Sequence, residues 1–229
     1  MNELFHQYNQ KFETLKEFMQ DELPRSLRLF NIRLRLALDI QIDFKGEISL
    51  TKTAQVRETY VKIIKLMEMW NAYEALFHYA KDIGKYANPK ANKAKIYSQT
   101  LLKEIGSLTV LKQATDNLKN NYANKAGFKE DFDQYIKRIE NDDRIKKTLT
   151  DDSVSMKKYL NSQESISGIE ILSLIYAERN MYYHNGETAK MGMRYSNRKL
   201  LIDIYRTCLI IHTLMVTNYI VDAEIENNK

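Results

Sequence analysis

Seven glycines and two prolines are all the punctuation this 229-residue chain carries. Sheet proteins need frequent turns, and turns need residues that break regular backbone. A chain with so few breakers and with long stretches of helical periodicity is expected to be all-α. Hydrophobic content of 44% and charged content of 28% are those of an ordinary globular domain. The length suits one large domain, or a core domain with an extension, able to bury a core without staples.

Residues 2–22 read as an amphipathic helix, with Leu4, Phe5, Tyr8, Phe12, Leu15, Phe18 and Met19 at helical spacing, stopped by Pro24. From Phe30 to Phe44 the sequence F-N-I-R-L-R-L-A-L-D-I-Q-I-D-F alternates, apolar at every even position and polar at every odd one except Ala37. Period two predicts strand, and K-G-E at 45–47 followed by I-S-L would close a short hairpin. Leu27, Phe30, Leu34 and Leu38 also make a helical stripe.

A long helix is expected from Thr53 to Tyr86, with Val56, Tyr60, Ile63, Met67, Trp70 and Phe77 along one face and Glu74 on the same stripe. N-P-K at 88–90 breaks it and starts another helix through Ile105. Residues 106–160 read as shorter helices jointed at Ala126-Gly127, Asn141-Asp142-Asp143 and Asp151-Asp152. S-I-S-G at 165–168 caps a helix reaching His184, with Asn185-Gly186 as its C-cap. After a short basic loop, Ser196 or Asn197 caps a last helix to Ala223.

The single cysteine, Cys208, cannot close an internal disulfide, which points to a reducing, cytoplasmic home. M-N-E-L-F-H-Q has no basic region followed by an apolar block, so no signal peptide is expected. Residues 200–221 are apolar and long enough to span a bilayer, but Asp203, Arg206 and His212 interrupt them. Asp and Arg would each cost about 2.5–3.5 kcal/mol near a membrane centre, so a buried core helix is expected and no membrane. A net charge of +5 mildly favours an acidic partner such as RNA. Basic residues gather at Arg25, Arg28, Arg33 and Arg35, at Lys85, Lys90, Lys93, Lys95 and Lys103, and at Lys190, Arg194, Arg198 and Lys199. For any one of these clusters taken alone, a solvated helix face is the more ordinary explanation.

The stretch A-E-R-N-M-Y-Y-H-N-G at 177–186 carries the chemistry. On its helix the inward stripe is Ile169, Leu172, Tyr176, Arg179 and Tyr183, which puts an arginine where a core residue belongs. A guanidinium stays charged, so burying it requires an anionic or hydrogen-bonding partner. Glu74, in the apolar seam of the long helix, is the partner expected to pair with it across the bundle, unless Glu74 bends out to solvent instead. Asn180 lies one turn before His184, a spacing at which an amide orients an imidazole. His184 occupies the last turn, where the helix dipole favours the imidazolium. A titratable imidazole and a fixed cation are the tools for cleaving RNA through its own 2′-hydroxyl. One moves protons near neutral pH, and the other neutralises charge growing on the phosphate oxygens. The plain alternative is a satisfied core arginine and a histidine that merely caps a helix.

R-N-M-Y-Y-H resembles the R-x(4–6)-H motif, with a polar residue after the arginine, of the HEPN superfamily. That resemblance implies a helical bundle with the motif before its last long helix, and a metal-independent endoribonuclease with no cofactor. It further implies a homodimer with two motifs facing one cleft, and a role as a toxin or in antiviral defence with an antitoxin or defence-system partner. Arg179 and His184 would be catalytic and Asn180 would hold the polar position. Glu74 and Tyr183 would support them, and Lys190, Arg194, Arg198 and Tyr182 would contact RNA. Residues 51–229 would form the HEPN-like domain, with 106–160 as a helical insertion and 1–50 as an N-terminal extension containing the hairpin. The rival is a non-catalytic HEPN-like subunit that binds RNA, a nucleotide or a partner protein. A farther one is a purely structural helical protein.

A second match, R-T-C-L-I-I-H from Arg206 to His212, lies inside the apolar last helix and lacks the polar follower, so it is read as a decoy. E-A-L-F-H at 74–78 and E-R-N-M-Y-Y-H at 178–184 have the wrong spacing for the Glu-x-x-His sites of four-helix carboxylate proteins, which argues against a metal. Tyr182 is expected to be the more open of the two tyrosines and free to stack on a base, with Tyr183 packed in the bundle.

Overall fold

The structure, a computed structural model, describes residues 1–20, 22–84, 95–143, 145–162, 164–185 and 189–228, with the backbone alone for His184 and Asn185. Ten helices follow in order among these residues, and no strand. They are α1 (Asn2–Phe18), α2 (Arg25–Asp39), α3 (Glu47–Thr51), α4 (Ala54–Asp82), α5 (Gln99–Ile105), α6 (Ser107–Asn124), α7 (Phe128–Glu140), α8 (Lys147–Asn161), α9 (Glu170–Asn185) and α10 (Tyr195–Asn227).

The two longest helices, α4 and α10, lie against each other, and both are apolar on nearly every side. Such helices are stable only when covered all round. Here α2 covers α4, while α1 and α6 cover α10. Tyr8, Phe12 and Leu15 of α1 and Leu27, Phe30 and Leu34 of α2 enter the same core as Trp70, Tyr73 and Leu209. α1 and α2 are therefore packed into the main bundle, whereas α3 buries no side chain. Lys11 to Asp222 at 2.6 Å, and the Asn218 amide donating to the Leu4 carbonyl at 3.1 Å, pin α1 along α10. By length and composition α10 could cross a bilayer, yet 67% of its most apolar window is buried inside the protein.

The expected hairpin is corrected. Residues 30–39 are helical, and α2 buries Leu27, Phe30, Leu34 and Ala37, so the helical stripe prevails over the alternation. The polar joint expected at Asp151-Asp152 is also absent, because Asp152 lies inside α8. There it pairs with Lys95 at 2.7 Å and accepts a hydrogen bond from the Ser173 hydroxyl at 2.6 Å. The joints at Gly127 and Asn141 are where the sequence puts them, as the residues flanking α7. The break at 88–90 lies outside the described residues, as do Lys85, Lys90, Lys93 and Gly186.

The start of α9 is built locally. The Ile169 N–H donates to the Ser167 hydroxyl at 3.3 Å, and that hydroxyl donates to the Glu170 carboxylate at 2.9 Å. Glu170 accepts the Gly168 N–H at 3.0 Å, so two amides that the helix leaves open are satisfied. Gly168 has φ +97°, and a Cβ there would stand 2.8 Å from the backbone nitrogen of Lys112 in α6. Both the left-handed backbone and the closeness of α6 require glycine. Gly168→Ala is expected to cost about 1–3 kcal/mol, read as a lower midpoint in urea unfolding.

Candidate functional site

From Ile171 to Glu178 the side chains of α9 are all buried, and beyond them Arg179, Asn180, Tyr182 and Tyr183 reach the surface while Met181 stays in the core. It meets α4 through large side chains. Tyr176 stacks on Trp70 with centroids 5.1 Å apart and planes 7° from parallel. One turn later Arg179 approaches Glu74 at 3.9 Å, with the two side chains 22% and 20% exposed. The guanidinium also donates to the Asn180 amide oxygen at 3.2 Å and lies 4.9 Å from the centroid of the Tyr183 ring. Its Nε is buried without a hydrogen-bond partner. Tyr183 is in turn reached by the Asn71 amide at 3.5 Å.

Arg179 is thus held by a carboxylate, an amide oxygen and an aromatic face. These interactions fix a planar cation in place at the edge of the bundle. A fixed fork suits a phosphate better than a mobile one, because less side-chain entropy is lost when two oxygens are gripped. The backbone of His184 lies in the last turn of α9, four residues beyond Asn180, and its side chain lies outside the described residues. Tyr182 and Tyr183 reverse the expected order. Tyr183 is 46% exposed and Tyr182 is half-buried, its hydroxyl shifted above the ordinary tyrosine range by burial. The two rings meet edge to face at 5.4 Å.

The expected RNA-contacting residues divide into three situations. Lys190 is exposed. Arg194 is 54% exposed, but its Nε donates to Asp131 at 2.9 Å and its backbone N–H to the same oxygen at 3.1 Å. The Asn197 amide adds a third bond to that oxygen at 2.7 Å. Burial pushes the Asp131 carboxyl up, and the hydrogen bonds from Arg194 and Asn197 more than reverse this, leaving it below the usual carboxylate range. Asp131 therefore supplies from α7 the anion that the start of α10 lacks in its own first turn.

Arg198 is corrected outright. It is 1% exposed and forms a two-pronged pair with Glu178, so it cannot touch a phosphate backbone. Burial opposes its charge, but the Glu178 carboxylate beside it more than compensates, and its pKa is raised. The Arg198 guanidinium lies 5.5 Å from the centroid of the Tyr135 ring. This ion pair, tying α9 to α10, was missed by the sequence reasoning. A signal existed, because Arg198, Leu201, Tyr205, Cys208 and His212 step by three and four residues along a buried stripe.

The second motif match is a core feature. His212 is fully buried, with Nδ1 2.5 Å from the Ser107 hydroxyl and Nε2 3.1 Å from the Tyr73 hydroxyl, while Arg206 donates to the Ala37 carbonyl at 3.0 Å. Burial pushes the His212 imidazole down to about 3. Unfolded histidine titrates near 6.5, so between the two values the unfolded chain binds a proton that the folded chain does not. Stability must then fall as pH drops below about 6.5, by about 2 kcal/mol at pH 5. Urea unfolding at pH 7 and pH 5 measures this, and His212→Gln should remove that share of the pH dependence.

Compared with protein-family models, with curated proteins and with solved structures, the chain finds no match.

Proposed function

We propose that the chain is an endoribonuclease of the HEPN type that cleaves RNA through its 2′-hydroxyl without a metal, as a toxin or in antiviral defence. The observation that supports this reading most is the half-buried Arg179. It is braced by Glu74, Asn180 and Tyr183 at the emerging end of α9, five residues before His184. In this mechanism the His184 imidazole takes the proton from the 2′-hydroxyl as the oxygen attacks phosphorus. The P–O5′ bond breaks, the 5′-oxygen takes up a proton, and a 2′,3′-cyclic phosphate and a 5′-hydroxyl remain. Arg179 neutralises the charge that grows on the non-bridging oxygens. Asn180 orients His184, exposed Lys190 holds the RNA backbone, and the open face of Tyr183 receives a base.

The test is cleavage of single-stranded RNA in EDTA by the wild type and by His184→Ala, with analysis of the product ends. Cyclic phosphate ends from the wild type alone support the mechanism, and equal cleavage by both proteins overturns it. The same bracing of Arg179 also suits a permanent anion anchor. If neither protein cleaves but both bind RNA in a salt-sensitive way, the chain is a binding subunit.

A further inference from the structure

Seven of the nine large apolar side chains exposed among the described residues fall in the first fifty positions. Three of them, Leu29, Ile32 and Leu36 of α2, are 45%, 62% and 42% exposed. They form one line along the outer face of the helix, while its opposite face packs on α4. The outer line is a convex ridge of aliphatic side chains standing in water, and contiguous exposed stripes of this kind mark interaction surfaces.

The charges on α2 point to what covers it. The helix carries Arg25, Arg28, Arg33 and Arg35 against one acid, Asp39. Four of the chain's eleven arginines, and none of its lysines, fall in these fifteen residues. At about 3.6 residues per turn, Arg28 and Arg35 run along one edge of the apolar line, Arg33 along the other, and Arg25 stands at its start. Arg25 and Arg28 add to the positive end of the helix dipole, with no acid in the first turn to offset it. Little of this charge is neutralised inside the protein. Arg35 donates to the amide oxygens of Asn31 at 3.2 Å and Asn9 at 3.0 Å and lies 5.9 Å from the centroid of the Phe5 ring, none of them anionic. Arg33 approaches Glu68 at 3.7 Å. The occupant must therefore be anionic and must also offer an apolar phase. RNA supplies phosphates, but its bases are gripped by aromatic rings, and the exposed apolar residues of α2 are all aliphatic. A protein would need a groove shaped to the ridge. A bilayer interface needs no such match: aliphatic side chains sink to the acyl boundary while long arginine stems reach back to the headgroups. The guanidinium fork then grips lipid phosphate oxygens in pairs, which suits arginine over lysine.

We propose that the outer face of α2 docks on an anionic phospholipid surface. Leu29, Ile32 and Leu36 enter the boundary between headgroups and acyl chains, and the arginines around them hold the phosphates. Nothing crosses the bilayer: α2 lies along its surface, and 67% of the most apolar window of α10 stays buried inside the protein. The contact stands on α2 alone and does not rest on the reaction proposed for α9.

Flotation of the full chain with vesicles tests it, using phosphatidylcholine alone and phosphatidylcholine mixed with phosphatidylserine. The wild type is expected to float with the mixed vesicles and not with the neutral ones, and to be released as salt screens the arginines. Arg25→Gln and Arg28→Gln should each lower the partition coefficient by about fivefold. Ile32→Glu, which removes an inserted side chain and adds a repelled charge, should lower it by about tenfold or more. Circular dichroism checks that each variant keeps its helix content, and the two arginine variants carry the test if Ile32→Glu unfolds. A wild type that does not float with the mixed vesicles overturns the proposal. So does flotation that Ile32→Glu leaves unchanged while folded, or equal flotation with neutral vesicles. Without vesicle binding, RNA affinity lost in Arg28→Gln would assign the arginines to RNA, and self-association lost in Ile32→Glu would assign the ridge to a second copy. Either result overturns the lipid contact.

Discussion

His184→Ala is expected to slow RNA cleavage in EDTA by about 10²–10⁴-fold, the share that a positioned proton-transfer group supplies. Arg179→Ala should cost about 10²–10³-fold, the effect of removing one fixed donor from a developing oxyanion. Arg179→Lys should recover only part of that loss, because a point charge cannot grip two oxygens at once. Glu74→Gln keeps the shape of its side chain but removes the charge 3.9 Å from Arg179. If the carboxylate positions the guanidinium, this variant should lower the turnover rate while leaving RNA affinity nearly unchanged. Arg179 and Glu74 are both partly exposed where α9 meets α4, so their variants should unfold within a few degrees of the wild type. A large drop in melting temperature alongside lost cleavage would show that structure, rather than chemistry, had been removed.

The largest expected stability effect belongs to the pair of Glu178 and Arg198. Both side chains are at most 2% exposed, and the two hydrogen bonds of the guanidinium fork satisfy both carboxylate oxygens. Removing one partner leaves the other charge in a dry site, which costs about 3–5 kcal/mol. For a chain of this size that is roughly 6–20 °C in melting temperature. Arg198→Met and Glu178→Gln should each show it. The double variant Glu178→Leu with Arg198→Met should return close to the wild type, because apolar residues of similar volume replace a buried pair at little net cost. Calorimetry on the three proteins decides the matter. If the single variants lose under about 1 kcal/mol, water reaches the pair and its charges are screened.

Much of the architecture could be read from spacing alone. The all-helical class, the joints at Gly127 and Asn141, and the start of α9 near Ser167 follow from residues whose local chemistry leaves few options. The α2 region misled for a physical reason. A buried stripe of Leu27, Phe30, Leu34 and Ala37 and an exposed one of Leu29, Ile32 and Leu36 lie on opposing sides of one helix. Two stripes of helical period, set nearly half a turn apart, add up to apparent alternation. At the candidate site, the approach of Arg179 to Glu74 was legible because each interrupts an apolar stripe. Arg198 was misplaced because it stands in a run of basic residues whose neighbours, Arg194 and Lys199, keep some exposure. Charge clustering says nothing about which member of a cluster turns inward. Asp131 was out of reach because its partners lie 63 and 66 residues away, beyond any local pattern.

Trp70 is the chain's single tryptophan, and it lies flat against Tyr176 one turn before Arg179. Its fluorescence therefore comes from one place, the seam where α9 rests on α4. Any event that lifts or tightens that seam alters the ring's surroundings and shifts its emission. The protein carries its own optical gauge at the base of the candidate site. A titration followed by that emission would report occupancy of the Arg179 end without a label, and would separate loosening of α9 from unfolding of the whole bundle.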